Sequence, residues 1–326
     1  MAQLVPSIEA VSSEAYVREV LLESFAMWGE GRTFERYVDD FRTMASSPYA
    51  KRRAFTVGLR DGDRIVSSCK NYDRELRWNG MRLRATGIGA VFTPPALRGR
   101  GYATLMLGAL LDAERTAGRD VAFLYSDIHP AFYENLGFTA VPSRTIALRA
   151  SSLDGSPSGA EPLEARDWSG VRRCFEAIDA ARPWSLRRTP LVWSWMRRRF
   201  DAPAPAGEQA VRLVVRRKRS LAAYVLGRRV VRRDAFVLDD FAYDGEDGRR
   251  ALGPVLRAAS GDLARVAGWL PPPVARDALP AGSVRARKDA VLMFAPISAR
   301  GRAWWKANAH AMLGSRADAT WSADHV

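Results

Sequence analysis

One segment of the 326-residue chain decides its fold: Val91-Phe-Thr-Pro-Pro-Ala-Leu-Arg-Gly-Arg-Gly-Tyr-Ala103. The pattern predicts a buried strand that stops at two prolines, then a glycine-rich turn and the start of a helix. A helix N-terminus exposes backbone N–H groups and favours anions. Gly99 and Gly101 let a phosphate approach the backbone, and Arg98 and Arg100 add positive charge. These features predict a pyrophosphate-binding turn; the alternative is an ordinary strand–turn–helix with its arginines in solvent.

The segments around this turn give the order β-α-α-β-β-β-α-β-α-β for the first half of the chain. Asn79-Gly80 is a strong two-residue hairpin signal between two of the strands. The predicted strands are Leu4–Ile8, Ala54–Leu59, Arg64–Leu76, Met81–Phe92, Val121–Tyr125 and Arg144–Leu148, and the predicted helices are Glu14–Trp28, Thr33–Met44, Tyr102–Thr116 and Pro130–Asn135.

The second half repeats this order weakly, after a linker of turn-forming residues at 151–160. Acidic residues in Ala242-Tyr-Asp-Gly-Glu-Asp-Gly-Arg249 stand where the first half has its glycine-rich turn. The predicted strands are Glu161–Arg166, Val211–Val215, Leu221–Arg228, Arg232–Ala242, Val266–Leu270 and Ala290–Ile297, and the predicted helices are Ser169–Ala181, Pro190–Phe200 and Gly248–Ser260. We expect an α/β protein with two mixed-sheet domains in tandem, the second degenerate. The expected ranges are 1–150, the linker 151–160, 161–298, and a C-terminal helix and tail at 299–326.

A second motif follows the turn, Leu124-Tyr-Ser-Asp-Ile-His-Pro-Ala-Phe-Tyr-Glu-Asn-Leu-Gly-Phe138. It predicts a strand and a short helix that ends in Leu-Gly-Phe. Together the two motifs resemble the GCN5-related N-acetyltransferase (GNAT) superfamily, in which Arg/Gln-x-x-Gly-x-Gly/Ala precedes Phe-Tyr-x-x-x-Gly-Phe on the next strand–helix unit. The matching residues are Arg98, Gly101 and Ala103 in the first motif and Phe132, Tyr133, Gly137 and Phe138 in the second.

The resemblance implies that acetyl-CoA is the cosubstrate and that Tyr133 faces its thioester sulfur. A tyrosine with a pKa near 10 is a weaker acid than a thiol with a pKa near 8.5, so we expect Tyr133 to stabilise the leaving thiolate mainly by a hydrogen bond. The alternative role for Tyr133 is a packing aromatic in the core. The implied cofactor-binding residues are Val91, Phe92, Thr93, Arg98, Gly99, Arg100, Gly101, Tyr102, Ala103 and Thr104.

The chain departs from the family pattern at the general base. Many members carry a glutamate on the strand before the turn, whereas Arg84–Phe92 contains no carboxylate. The base then comes from elsewhere, acts through water, or is not needed because the amine arrives neutral. Asp127 and His129 are candidates, although we expect Asp127 to cap the short helix instead.

The tandem arrangement narrows the resemblance to the enhanced intracellular survival acetyltransferases, because Arg182–Arg188 followed by Trp193 is similar to their second domain. That family brings its terminal carboxylate into the first domain's site as the base. The resemblance therefore suggests that Trp321 anchors the tail and places a proton acceptor near the acceptor amine; the alternative is a surface tail. The candidate acceptors are Asp324, His325 and Val326. The segments Trp28-Gly29, Thr33–Tyr37, Tyr125–Ile128 and Trp321–Val326 also resemble fungal lysine N-acetyltransferases.

Composition limits the partners and the compartment. No apolar run is long enough to span a membrane, and no basic stretch precedes an apolar block in Met1–Glu14, so we expect no membrane partner and no secretory signal. Two cysteines and three histidines show no metal or redox spacing, which predicts reduced thiols, a cytoplasmic protein and no metal site. The formal charge is +14, but only five of the 50 basic residues are lysines, and arginines in Arg212–Arg233 alternate with apolar residues as on solvated strands.

These observations favour an enzyme that acetylates a primary amine of a small molecule, such as an amino acid, a polyamine or an aminoglycoside-like compound. Acetylation of a protein or RNA-linked amine is the alternative if the arginines form one continuous face. A non-catalytic acyl-CoA-binding sensor is the alternative if no base lies near Tyr133. The sequence does not decide the acyl chain length or the oligomeric state.

Overall fold

The computed structural model describes residues 7–155, 159–217, 220–314 and 320–325. Within these ranges the strands are β1 (Ile8–Ala10), β2 (Ala54–Asp61), β3 (Arg64–Trp78), β4 (Met81–Phe92), β5 (Val121–Ser126), β6 (Thr139–Ala140), β7 (Arg144–Arg149), β8 (Ala160–Pro162), β9 (Trp184–Leu186), β10 (Glu208–Arg217), β11 (Ser220–Val230), β12 (Ala235–Tyr243), β13 (Arg265–Trp269), β14 (Ser283–Ala286) and β15 (Val291–Pro296).

The helices of the same ranges include a continuous helical stretch at residues 13–28, in which a π-helical turn, Val17–Leu21, separates two α-helical segments. The α-helices are α1 (Ser13–Tyr16), α2 (Leu22–Trp28), α3 (Phe34–Ala45), α4 (Pro48–Arg53), α5 (Tyr102–Thr116), α6 (Ala131–Glu134), α7 (Trp168–Ala180), α8 (Pro190–Asp201), α9 (Gly245–Ser260), α10 (Pro273–Arg276) and α11 (Ala299–Leu313). None of the helices described here has the length and apolar character needed to cross a membrane.

Side-chain caps define where the first helices begin. Ser12, Thr33 and Ser47 each accept a hydrogen bond from the backbone N–H three residues further along, which satisfies one of the free donors at a helix start. The predicted helices over 14–28 and 33–44 are therefore confirmed, whereas α4 was not predicted. The predicted strand at Leu4–Ile8 lies instead at β1, and residues 1–6 are outside the described ranges.

The first sheet has the strand order β1-β2-β3-β4-β5-β15-β6, with β9 paired to β3. Asn79 and Gly80 have φ angles of 42° and 81°, as a type I′ hairpin turn between β3 and β4 requires. β4 and β5 run parallel, joined by α5. Asn71 donates a hydrogen bond to Glu114 of α5, so odd-numbered residues in this part of β3 face α5. Lys70 faces the opposite side, where it lies over the Tyr16 and Phe41 rings.

The second sheet has the matching order β8-β10-β11-β12-β13-β7-β14, again with one parallel pair, β12 and β13. The sequence is thus correct in predicting an α/β fold with two mixed sheets in tandem. In both sheets the strand after the parallel pair comes from the other half of the chain. β15 pairs with β5 in the first sheet, and β7 pairs with β13 in the second.

This exchange corrects the predicted destination of two strands. The ranges 1–150 and 161–298 assigned Arg144–Leu148 to the first sheet and Ala290–Ile297 to the second, and the observed pairing is the reverse. The physical reason is that β15 carries apolar side chains on both faces. It must therefore lie inside a sheet that is covered on both faces, between β5 and β6. Met293 packs in the cluster beneath α5, while Phe294 packs with Phe123 on the opposite face. The predicted strand at Glu161–Arg166 is only partly formed, since strand β8 ends at Pro162.

Candidate active site

β4 and β5 separate partway along their length. Their parallel pairing runs from Ala85 to Ile88 on β4, although β4 continues to Phe92. At the same level β4 contains a β-bulge, because Ala90 and Val91 together oppose Cys69 of β3, and Ala90 has a φ of 47°. Among the described residues no strand pairs with this end of β4 on the β5 side. The result is a cleft whose β4 wall has no strand partner on the β5 side in the described part of the chain, although the Phe92 carbonyl accepts a hydrogen bond from the Ser67 hydroxyl.

The glycine-rich turn lies directly beyond this cleft. Gly99 and Gly101 have φ angles of 78° and 80°, which explains why both are glycine. A Cβ added at either position would meet no atom within 4 Å, so the surface of the turn is open. Gly101 is the N-cap of α5 and offers no side chain, so the first N–H groups of this 15-residue helix remain available to an anion.

The two arginines of the turn differ in their contacts. The Nε of Arg98 donates to the Thr93 carbonyl at 3.1 Å, and its guanidinium reaches the Met27 sulfur. Arg100 is exposed, and within the described part of the chain it has no ion pair or hydrogen bond. Trp28 packs against Phe92 with ring centroids 5.7 Å apart. The C-terminal end of α2 is therefore held against the end of β4, beside the cleft.

Tyr133 lies on the α5 side of the cleft. Its side chain is 7% exposed and packs against Phe132 and Phe138. Burial, with smaller contributions from Asp127 and Cys69, raises the pKa of Tyr133 to about 12. Its hydroxyl therefore keeps its proton at neutral pH and can only donate or accept hydrogen bonds. Burial also raises the pKa of the Cys69 thiol to about 12, so this neighbouring thiol is not a ready nucleophile.

His325 lies on the opposite side of the sheet. Its ring contacts Tyr125 of β5 at 5.1 Å and Trp269 at 5.8 Å between centroids. Tyr125 directly follows Leu124, the last residue of β5 that pairs with β4. Burial first, and then the nearby Arg199, lower the pKa of His325 to about 4, so the imidazole is neutral at pH 7. Asp127 acts electrostatically on both Tyr133 and His325.

Asp324 lies in a buried ion network rather than beside the cleft. Its carboxylate accepts a hydrogen bond from Arg188 at 2.9 Å and from the Trp321 backbone N–H at 3.1 Å, and Arg74 lies 4.0 Å away. Burial alone would raise the pKa of Asp324, but Arg188, Arg74 and Arg182 outweigh that effect and hold the pKa below its usual range. This environment opposes the predicted role as a base. Val326 lies outside the described residues.

The two other base candidates have structural partners. Asp127 accepts a hydrogen bond from the Ala290 backbone N–H at 2.9 Å, so it does not cap α6 as expected. The Nδ1 of His129 accepts from the Ala131 N–H at 3.3 Å, so His129 performs a local role at the start of α6. Asp127 thereby ties the end of β5 to the turn before β15.

A cavity of about 540 Å³, which we call the Lys70 cavity, occupies the face of the first sheet opposite α5. Its charged or titratable lining residues are Lys51, Lys70, Arg199 and His325, and its aromatic lining residues are Phe41, Phe55, Tyr72 and Trp195. Sequence reasoning missed Lys70 and Arg199, which lie 129 residues apart. Lys70 carried a weak signal, as a charged residue within the apolar pattern of β3.

A strand pair that opens beside an anion-binding helix start, with a buried tyrosine beneath the same helix, is the arrangement expected of an acyl-CoA-dependent acyltransferase. The particular family follows from sequence: residues 20–141 match the family described as "Acetyltransferase (GNAT) domain". This part of the chain is therefore a GNAT acetyltransferase domain, and the chain is an N-acetyltransferase. No curated protein matches the chain in sequence.

Several solved structures share the fold over almost the whole chain. A probable N-acyltransferase from Enterococcus faecalis V583 has a TM-score of 0.71 at 14% identity, over 91% of this chain and 73% of that one. Eis1 from Mycobacterium abscessus has a TM-score of 0.56 at 16% identity, over 90% and 74%. A tandem GNAT protein from the clavulanic acid biosynthesis pathway has a TM-score of 0.52 at 15% identity, over 90% and 98%. At these identities the likeness shows the fold, including its tandem form.

Proposed function

We propose that the chain transfers the acetyl group of acetyl-CoA to a primary amine of a small molecule. The observation that carries this proposal is that the open glycine-rich turn continues directly from the end of β4 that leaves β5, while Tyr133 packs in the core cluster beneath α5. In the proposed complex the N–H groups of residues 99–104, with Arg98 and Arg100, hold the pyrophosphate. The backbone of Val91, Phe92 and Thr93 holds the pantetheine arm.

Bound acetyl-CoA supplies a thioester that an amine can attack directly. Tyr133 then donates a hydrogen bond to the sulfur as negative charge develops there. The raised pKa of Tyr133 supports this role, because a tyrosine of pKa about 12 stabilises a thiolate by a hydrogen bond without giving up its proton. The raised pKa of Cys69 argues against a covalent acetyl-cysteine route.

We further propose that the amine approaches from the face opposite Tyr133 and that His325 accepts its proton. The His325 ring lines the Lys70 cavity and packs at the level where β4 and β5 part. Its lowered pKa makes it a weak base, so it serves an amine that arrives neutral and whose nitrogen becomes acidic as it attacks the thioester. Asp324 keeps a positioning role, since its bonds to Arg188 hold the short tail that carries His325. The Val326 carboxylate stays a prediction.

The test is thiol release from acetyl-CoA with a panel of amines, with the acetylated product identified by mass spectrometry. The full chain is the proper material, because each sheet contains a strand from the other half. Amine-dependent thiol release with a new N-acetyl product is expected. Tight acetyl-CoA binding without transfer to any amine would instead favour the acyl-CoA sensor.

One observation favours the second candidate, a protein or RNA-linked amine. A groove of about 1150 Å³ along the second sheet reaches Trp269, next to His325. Six arginines line it: Arg149, Arg228, Arg233, Arg265, Arg285 and Arg287. Arg228 is already paired with Glu208 and Asp239, which reduces the free charge. Binding of a polyanion that weakens steeply with salt would support this candidate.

A further inference from the structure

The Lys70 cavity has an unusual charge balance for a site that receives an amine. Two lysines, one arginine and one histidine line it, and none of its lining residues within the described ranges is an aspartate or a glutamate. A polyamine or an aminoglycoside carries several positive charges and needs carboxylates to bind. Such a polycation would meet only like charge and neutral walls here.

Lys70 has no anionic partner in the described structure. Its ammonium group donates to the Thr56 hydroxyl at 2.6 Å and lies 3.5 Å from the centroid of the Tyr16 ring. Burial lowers the pKa of Lys70 to about 7. A buried lysine held only by a hydroxyl and aromatic faces can gain much from an incoming anion.

Arg199 brings a second cation to the same cavity. Its guanidinium lies 4.7 Å from the centroid of the Trp195 ring, and it donates to the backbone carbonyl of His325 at 2.9 Å. Among the described residues no carboxylate lies within ion-pair distance of it, although Asp239 and Asp324 act on it electrostatically from further away. Since Arg199 contacts the residue that carries the proposed proton acceptor, an anion bound here would hold its own amine near the His325 ring.

The walls and the size of the cavity limit the rest of the ligand. Phe41, Tyr72 and Trp195 provide apolar and aromatic surface, which favours a hydrophobic side group. A volume of about 540 Å³ accommodates a molecule of amino-acid to dipeptide size.

We propose that the acceptor is a primary amine that also carries a carboxylate and an apolar side group, as in a hydrophobic α-amino acid. Lys70 and Arg199 bind the carboxylate, the aromatic walls bind the side group, and the amine faces the opening between β4 and β5. This inference rests on the proposed N-acetyltransferase function and narrows its substrate class.

The first test compares amines on the wild-type enzyme with saturating acetyl-CoA. Phenylalanine and leucine are set against their carboxamides and against the polyamine spermidine. The amine of a carboxamide is more readily neutral, so its intrinsic reactivity works against the proposal. We expect kcat/KM to be at least about tenfold higher for the free acids, as a charge-assisted hydrogen bond allows. Equal or faster turnover of the carboxamides or of spermidine would overturn the inference.

Failure of every amine, with acetyl-CoA still bound, would overturn the proposed function itself. That outcome is distinct from transfer to the wrong class of amine. Because this first test uses only the wild-type chain, its outcome does not depend on the folding of any variant.

The second test assigns the selectivity to Lys70. Lys70→Met removes the charge and keeps the side-chain length, while Lys306→Met removes an exposed lysine of α11, away from the cavity. The readout is the ratio of kcat/KM for an acid to that for its carboxamide, which a partial loss of folded enzyme does not alter. We expect the ratio to fall several-fold in Lys70→Met alone. An unchanged ratio would exclude Lys70 from carboxylate recognition and overturn the proposed binding mode.

A third readout follows proton uptake. A carboxylate beside Lys70 stabilises the ammonium form, so binding near pH 7.5 should draw a proton from the buffer. Calorimetry of amino-acid binding in two buffers of different ionisation enthalpy should then show greater proton uptake for the wild type than for Lys70→Met, since any proton lost by the amine is common to both. Equal uptake by the two proteins would count against the contact.

Discussion

The two sheets open in the same way and are used differently. β12 pairs with β13 from Ala235 to Leu238, bulges at Asp239 and continues to Tyr243, just as β4 leaves β5 after Ile88. In the first sheet the opening leads to an exposed glycine-rich turn. In the second, the tail contacts the free end of β12: Ser322 donates to Asp239 at 3.0 Å and Trp321 packs on Phe241 at 4.7 Å.

The helices that follow the two separated strand pairs, α5 and α9, also differ at their N-termini. α5 begins at an open glycine, whereas the first turn of α9 carries Glu246 and Asp247, which would repel phosphate. A Cβ at Gly248 would collide with the Ala222 carbonyl oxygen, so α9 sits directly on β11. An opened strand pair is therefore a property of the fold, and acyl-CoA binding additionally requires an anion-binding turn and an empty cleft.

The largest effect is expected on stability, from a substitution in the C-terminal tail that contacts the free end of β12. Asp324→Ala removes the carboxylate between Arg188 and Arg74 and leaves buried positive charge without compensation. We expect a loss of about 3–5 kcal/mol in the free energy of unfolding. Denaturant unfolding measures it, and Ser322→Ala, which loses one hydrogen bond to Asp239, should cost only about 1 kcal/mol. Similar stabilities of Asp324→Ala and the wild type would show that the network does not hold the tail.

The next effect concerns chemistry at the first opening. Tyr133→Phe should lower kcat by about 10- to 100-fold, equivalent to about 1.5–3 kcal/mol, and leave acetyl-CoA affinity unchanged. The reason is that only the hydrogen bond to the developing thiolate is lost. Tyr243→Phe removes a hydroxyl in the second half, bonded to the Val274 carbonyl, and should not affect kcat. If kcat survives Tyr133→Phe, Tyr133 is a packing residue like Phe132.

A smaller effect, on acetyl-CoA binding, should distinguish the N-terminus of α5 from that of α9. Replacing Arg98 and Arg100 together by alanine should raise the KM for acetyl-CoA about tenfold, since each exposed charge contributes about 0.5–1 kcal/mol. The value of kcat at saturation should change little, because these residues lie far from the bond that breaks. The matched pair, Arg249 and Arg250 of α9 replaced by alanine, should leave both constants unaltered. Equal effects of the two double variants would mean that the turn has no special role.

The smallest effect is the slope with which stability changes with pH. The pKa of His325 in the folded protein is about 4, below its usual 6.5, so the unfolded chain binds more protons between these values. Stability from His325 is therefore complete above about pH 6.5 and is lost as the pH falls towards 4. The slope is about 1 kcal/mol per pH unit near pH 6 for one such group. His325→Gln should flatten this part of the stability profile, and an identical profile would show that the ring is solvated.

The cofactor half of the site could be predicted from sequence because its signals are local. Gly99, Gly101 and Tyr133 lie in short segments whose spacing with neighbouring residues fixes a turn and a short helix. The acceptor half could not, since Lys70, Arg199 and His325 meet only after three distant segments pack on one face of the sheet. The predicted tail anchor is correct for Trp321, which is 3% exposed, but the role of Asp324 depended on where Arg188 would lie.

By itself, then, the sequence determined the two sheets, their hairpins and the anion-binding turn. Each depends on a periodicity or on a backbone preference that a few adjacent residues express. Only the tertiary structure decided that β7 and β15 exchange sheets and that the tail pairs with Arg188. Both outcomes depend on partners more than 100 residues away, and local patterns carry no information about which of two similar sheets a buried strand will join.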